Sequence, residues 1–105
     1  MRCLLKAEFC TDTANTAIRD GSLAKVIRSV LDDQKPEAAY FLASNGKRTA
    51  YLFLNIQDAS QIPALAEPWF LTLHANIEIV PVMTYDDLTK AAPAMEQVVK
   101  KYGGG

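Results

Sequence analysis

The chain has 105 residues, half of them hydrophobic and 22% charged, with eleven basic against twelve acidic side chains. That is one domain's worth of sequence, long enough to bury a core without metal or disulfide staples. Its near-zero net charge supplies no general field for nucleic acid or an anionic membrane.

Two cysteines and one histidine match no spaced zinc pattern, so no metal is expected. Cys3 and Cys10 lie ~23 Å apart along one strand, too far to bridge, and Cys3 reads as core packing. Arg2 and Lys6 bracket only three residues, too few for a signal-peptide core. No apolar run reaches a membrane span. The expectation is a cytoplasmic domain over residues 1–102, followed by a flexible Gly103–Gly105 tail.

Met1 to Phe9 alternates and reads as strand 1. Cys3, Leu5, Ala7 and Phe9 form an apolar face, with Arg2, Leu4, Lys6 and Glu8 opposite. Thr11 to Gln34 reads as helix, striped by Leu23, Val26, Ile27, Val30 and Leu31. The stripe slips phase at Asp20-Gly21-Ser22, which predicts a break, with Ser22 able to cap the second piece. Lys35-Pro36 ends it.

Ala38 to Ala43 and Arg48 to Asn55 read as strands 2 and 3 around Asn45-Gly46, a type I′ turn signal. The two-residue turn sets Leu42 against Thr49, Tyr40 against Tyr51 and Ala38 against Phe53. Asp58 to Leu73 reads as helix, with Ser60 as cap, Pro63 in the first turn and a bend at Glu67-Pro68. Its stripe is Ile62, Leu65, Ala66, Trp69, Phe70 and Leu73. Ile77 to Met83 reads as strand 4, and Pro81 favours an edge position. Thr84 to Asp87 resembles a capping box. It opens a last helix striped by Leu88, Ala91, Ala92, Met95, Val98, Val99 and Tyr102, which Pro93 should kink or split.

The fold class is therefore α+β. The order is βαββαβ plus a C-terminal helix, a ferredoxin-like sandwich with antiparallel sheet order 4-1-3-2 and both main helices on one face. The other face collects Leu4, Lys6, Glu8, Tyr40, Leu42, Thr49, Tyr51, Phe53, Glu78, Val80 and Val82. It is too apolar for open water and too polar for a dry core, and a second copy of the chain is its simplest cover.

The segments Ile62-Pro63-Ala64-Leu65-Ala66-Glu67-Pro68-Trp69-Phe70 and Pro81-Val82-Met83-Thr84-Tyr85-Asp86-Asp87-Leu88, with this element order, resemble the dimeric α+β barrel superfamily. That superfamily includes muconolactone isomerases, small cofactor-free monooxygenases and many small bacterial proteins without assigned activity. The resemblance covers nearly the whole chain and implies a homodimer with a pocket for a small molecule between the sheets. It carries over no catalytic motif, and it implies no cofactor.

Lys6, Glu8, Tyr51 and Glu78 are the candidate catalytic residues of the bare face, and Lys6, Tyr40, Tyr51 and Phe53 the candidate ligand contacts. An acid, a base and phenols in a half-apolar space can move protons on a small organic molecule. The plainer reading is cross-strand pairing of Lys6 with a glutamate and tyrosines packed at a dimer seam. His74 is a further candidate, as a general base or an iron ligand at a pocket mouth; the plainer reading is a residue at its helix C-terminus.

RNA-recognition modules share the βαββαβ order. Lys47 to Leu54, however, lacks the early glycine and the flanking aromatics of their strand 3, so no nucleic-acid partner is expected. The leading expectation is a homodimer binding a small, largely apolar ligand between its sheets. The alternatives are a cofactor-free isomerase or monooxygenase, and an assembly module without ligand.

Overall fold

Period-two alternation is obeyed most closely in β1 (Arg2–Glu8), where buried and half-exposed side chains alternate along the whole strand. The computed structural model describes residues 1–104; of the expected glycine tail, Gly105 lies outside the described residues. After β1 come α1 (Thr11–Arg19), α2 (Leu23–Gln34), β2 (Ala38–Ser44) and β3 (Lys47–Asn55). A 3-10 turn (Ala59–Gln61) leads into α3 (Ile62–Leu73), followed by β4 (Asn76–Pro81), α4 (Tyr85–Lys90) and α5 (Ala92–Tyr102).

The four strands form one open antiparallel sheet in the order β2-β3-β1-β4, the order expected, read from the other edge. The hairpin register is also as expected: Tyr40 pairs with Tyr51, Leu42 with Thr49 and Ala38 with Phe53. Its cause is local. Asn45 and Gly46 both hold positive φ, 54° and 72°, the pair of angles a type I′ turn requires. Strand β4 is an edge strand, as Pro81 demands. It ends at Pro81, two residues short of expectation, although the Val82 N–H still donates to the Arg2 carbonyl at 3.0 Å.

One sheet face carries Leu5, Ala7, Phe9, Ala50, Leu52 and Leu54, all buried under α1, α2 and α3. Trp69 and Leu73 of α3 and Val30 of α2 close this core. The α1–α2 break falls where the stripe slips, with Gly21 at φ 79°. Three expectations at helix ends and faces need correction. Ser22 does not cap α2 through its side chain; its N–H instead donates to the Asp20 carboxylate at 2.8 Å. Ser60 lies inside the 3-10 turn, and Asp58 is the cap, in a reciprocal capping box with Gln61. Phe70 and Ile62 reach the edge of the α3 stripe and remain about 40% exposed (41% and 40%), because the sheet fills only the Trp69–Leu73 side.

Thr84 and Asp87 form the expected capping box: the Asp87 N–H donates to the Thr84 hydroxyl, and the Thr84 N–H to the Asp87 carboxylate. The last helix is split at Ala91, with Pro93 in the first turn of α5, where a missing N–H costs nothing. Neither α4 nor α5 contains a buried residue, and their principal contact is with each other. They draw the molecule out to 60 × 28 × 21 Å, with a radius of gyration of 17.8 Å, against about 13 Å for a compact chain of this length.

Candidate functional site

The bare sheet face is built by the register. β1 is flanked by β3 and β4, so Leu4 stands between Phe53 and Val80, Lys6 between Tyr51 and Glu78, and Glu8 between Thr49 and Asn76. Antiparallel partners on one face lie about 5 Å apart, close enough for these triplets to interact directly. The face therefore divides along the strands. An apolar half holds Leu4, Phe53 and Val80, extended on β2 by Tyr40, whose ring meets Phe53 edge-on at 6.4 Å and 85°. A polar half holds Lys6, Glu8, Thr49, Tyr51, Asn76 and Glu78.

The polar half surrounds an open depression of about 250 Å³ that includes Ser44 and Asn45 of the hairpin turn. Lys6 is its centre. Its Nζ is 3.5 Å from Glu78 Oε1 and 5.9 Å from the Tyr51 ring centroid, so the ammonium lies between a carboxylate and a π face that both attract it. Glu8 is held from the turn side: Lys47 Nζ is 3.7 Å from Glu8 Oε1, and Asn45 Nδ2 donates to Glu8 Oε2 at 3.4 Å. Side chains here remain accessible, 37% for Lys6 and 62% for Glu78. The pairs are thus worth little to stability, and Lys6 can exchange Glu78 for an acceptor on a ligand.

Lys6, Glu8, Tyr51 and Glu78 are thus brought together. Tyr40 and Phe53 share the face but lie beside the depression rather than in its wall. His74 is elsewhere. It ends α3 in the left-handed conformation (φ 46°, ψ 44°), and its Nδ1 lies 3.2 Å from the Thr13 hydroxyl of α1, on the helix side. Its backbone N–H caps the Phe70 carbonyl, which accounts for its place without any role in the sheet-face cluster.

Asn45, Lys47 and Asn76 belong to the polar half although their chemistry reads in sequence as turn and strand-end punctuation. The register could have found them: residues flanking a two-residue turn fall beside the end of the neighbouring strand, here next to Glu8. Cys10 stands at the position before the first turn of α1, where the Thr13 hydroxyl and amide hold its thiol below the ordinary value. Among the described residues, no group of three or more His, Cys, Asp or Glu side chains could hold a metal ion, and no helix is long and apolar enough to cross a membrane. No protein-family model matches the chain, and no curated protein is found to match it.

Proposed function

We propose that the chain is a ferredoxin-like protein of the dimeric α+β barrel kind, a cytoplasmic homodimer that binds a small organic ligand between its two facing sheets. One observation carries this reading: the bare face sets an apolar row, Leu4, Phe53 and Val80, directly beside a polar depression centred on Lys6. Leu42 of β2, exposed like Tyr40, adds apolar surface at the other end of the same face, opposite Thr49. A largely apolar molecule with one polar end fits that division. Its body covers the row, and its polar end takes hydrogen bonds from Lys6 and Tyr51. The βαββαβ order of the first 81 residues, with its helices on one face only, supports the fold assignment.

Turnover of that ligand, by isomerisation or cofactor-free oxygenation, is the second reading. It is favoured by the gathering of Lys6, Glu78 and Tyr51 on one accessible surface, an ammonium that can donate a proton, a carboxylate that can accept one and a phenol within reach of one molecule. Native mass spectrometry of freshly purified protein tests the first reading directly, with a dimer carrying a co-purified small molecule expected. Sedimentation of the Leu42→Glu, Val80→Glu double variant tests the interface. A folded monomer or an aggregate is expected, and an unchanged folded dimer would place the contact elsewhere.

A further inference from the structure

The α4–α5 arm carries an apolar stripe with nothing on it. Met95, Val99 and Tyr102 are 54%, 63% and 74% exposed. An eleven-residue helix is marginal in water unless its apolar face is packed, so the arm's own structure asks for a partner surface. The whole chain exposes 7261 Å², whereas a folded 11.5 kDa monomer is expected to expose about 5,800 Å². The excess is roughly 1,500 Å² per chain, and twice that falls within the range of obligate dimers.

The matching surface is on the same chain. Beside α2 and the edge strand β2 lies a hollow of about 440 Å³ lined by Ala24, Ile27, Leu31 and Phe41, with Arg28 and Asp32 on its rim. The stripe of α5 is Ala92, Met95 and Val99, flanked by Glu96 and Lys100. The two patterns have the same spacing, apolar at i, i+3 and i+7 with a charge at i+4, and that charge is of opposite sign in the two, Arg28 against Glu96. Antiparallel packing sets Ile27 on Met95, Ala24 on Val99, Leu31 on Ala92 and Arg28 beside Glu96, each large residue facing a small one at the two ends.

The arm does not reach its own hollow. It leaves β4, and the hollow lies at the opposite edge of the sheet, on the helix side, with only Val82 to Thr84 as a hinge. In a pair related by a two-fold axis along the strands, β4 of one copy faces β2 of the other, which brings the arm to that hollow.

We propose that the α4–α5 arm is exchanged between two copies of the chain, the Ala92–Met95–Val99 stripe of each lying in the other's hollow beside α2. The proposal rests on the two-copy reading above and not on its ligand.

Arg28 and Glu96 are both exposed, so cysteines there leave the core intact. In the Cys10→Ser, Arg28→Cys, Glu96→Cys variant, a short bismaleimide is expected to give a covalent dimer. Peptide mass spectrometry should then find residue 28 joined to residue 96. The same link within one chain would mean that the arm folds back, and overturns the exchange. A sedimenting dimer without the link overturns the exchange and leaves the sheet-face reading standing. A monomer in sedimentation overturns both. Independently, Arg28→Glu breaks the pair at both hollows of the dimer and should weaken dimerisation up to about thirtyfold, the worth of two exposed ion pairs, and added Glu96→Arg should restore it. Failure of the second change to rescue the first removes the charge pairing on which the exchange rests.

Discussion

Phe9 and Trp69 stack face to face beneath the sheet, ring centroids 5.6 Å apart and planes 15° from parallel. Phe9 follows β1, and Trp69, like Leu73, is fully buried in α3, so this pair fastens α3 to the end of an inner strand. Trp69 Nε1 is buried with no hydrogen-bond partner among the described residues, a cost the ring offsets through its contact area. Trp69→Ala should remove about 3–5 kcal/mol, enough to unfold a marginal domain. Trp69→Phe keeps the stack and discards the unpaired N–H, and should cost much less. Urea denaturation separates the two; equal losses would mean that a ring stacked on Phe9 recovers nothing and that the stack does not hold α3 to the sheet.

The Asn45-Gly46 turn holds the register on which the bare face depends. Gly46 has φ 72°, and a Cβ built there meets nothing within 4 Å. Any penalty for a side chain is therefore conformational rather than steric. Gly46→Val should cost about 1–3 kcal/mol, and Gly46→Asn distinctly less, since asparagine tolerates the left-handed region. Thermal melts in which valine and asparagine behave alike would contradict the turn assignment.

Most of the sheet was legible in the sequence because its signals are short-range. Period-two alternation in β1 and β4, one Asn-Gly pair and the strand order implied by βαββαβ place Lys6, Tyr51 and Glu78 on a common face. Three features were not legible. The cap at Asp58 is hidden because a 3-10 turn, not an α-helical one, opens α3, which moves the cap two residues upstream of Ser60. Phe41 alternates onto the helix side yet is 49% exposed, since helix coverage stops short of the edge strand. The stripe of α5 announces an apolar face, but periodicity cannot say whether the surface it meets is in the same chain.

The caps make stability depend on pH in a definite direction. Hydrogen bonds from Ser60 hold the Asp58 carboxyl below its ordinary range, and those from Thr84 do the same for Asp87. A carboxyl lowered in the folded state stabilises fully above its unfolded value, near 3.9, and loses that contribution as pH falls through the lower folded value. The melting temperature should therefore fall between about pH 5 and pH 2. Asp58→Ala should melt lower than the parent protein at pH 7, and the gap should narrow at pH 2. Calorimetry showing the same gap at both pH values would mean that the Asp58 charge takes no part in the cap.

Tyr51 decides between a binding face and a merely adhesive one. It stands opposite Lys6 on β1 and opposite Tyr40 on β2, and it lines the polar depression whereas Tyr40 does not. Tyr51→Phe removes one hydroxyl and leaves the ring beneath the Lys6 ammonium. The melt should shift by no more than about 1 kcal/mol, the net worth of one hydrogen bond. Where a ligand takes that hydroxyl as a partner, the loss is carried by binding: occupancy of the co-purified molecule in native mass spectra should fall roughly five- to tenfold. Tyr40→Phe is the matched control. Tyr40 is largely exposed on the edge strand and packs edge-on against Phe53, so its hydroxyl should matter to neither readout. Loss of the ligand from Tyr40→Phe but not from Tyr51→Phe would move the polar contact out of the depression to the β2 edge. If both variants keep the molecule at the parent level, the apolar row alone holds it, and Lys6 with its neighbours serves only to order the strands.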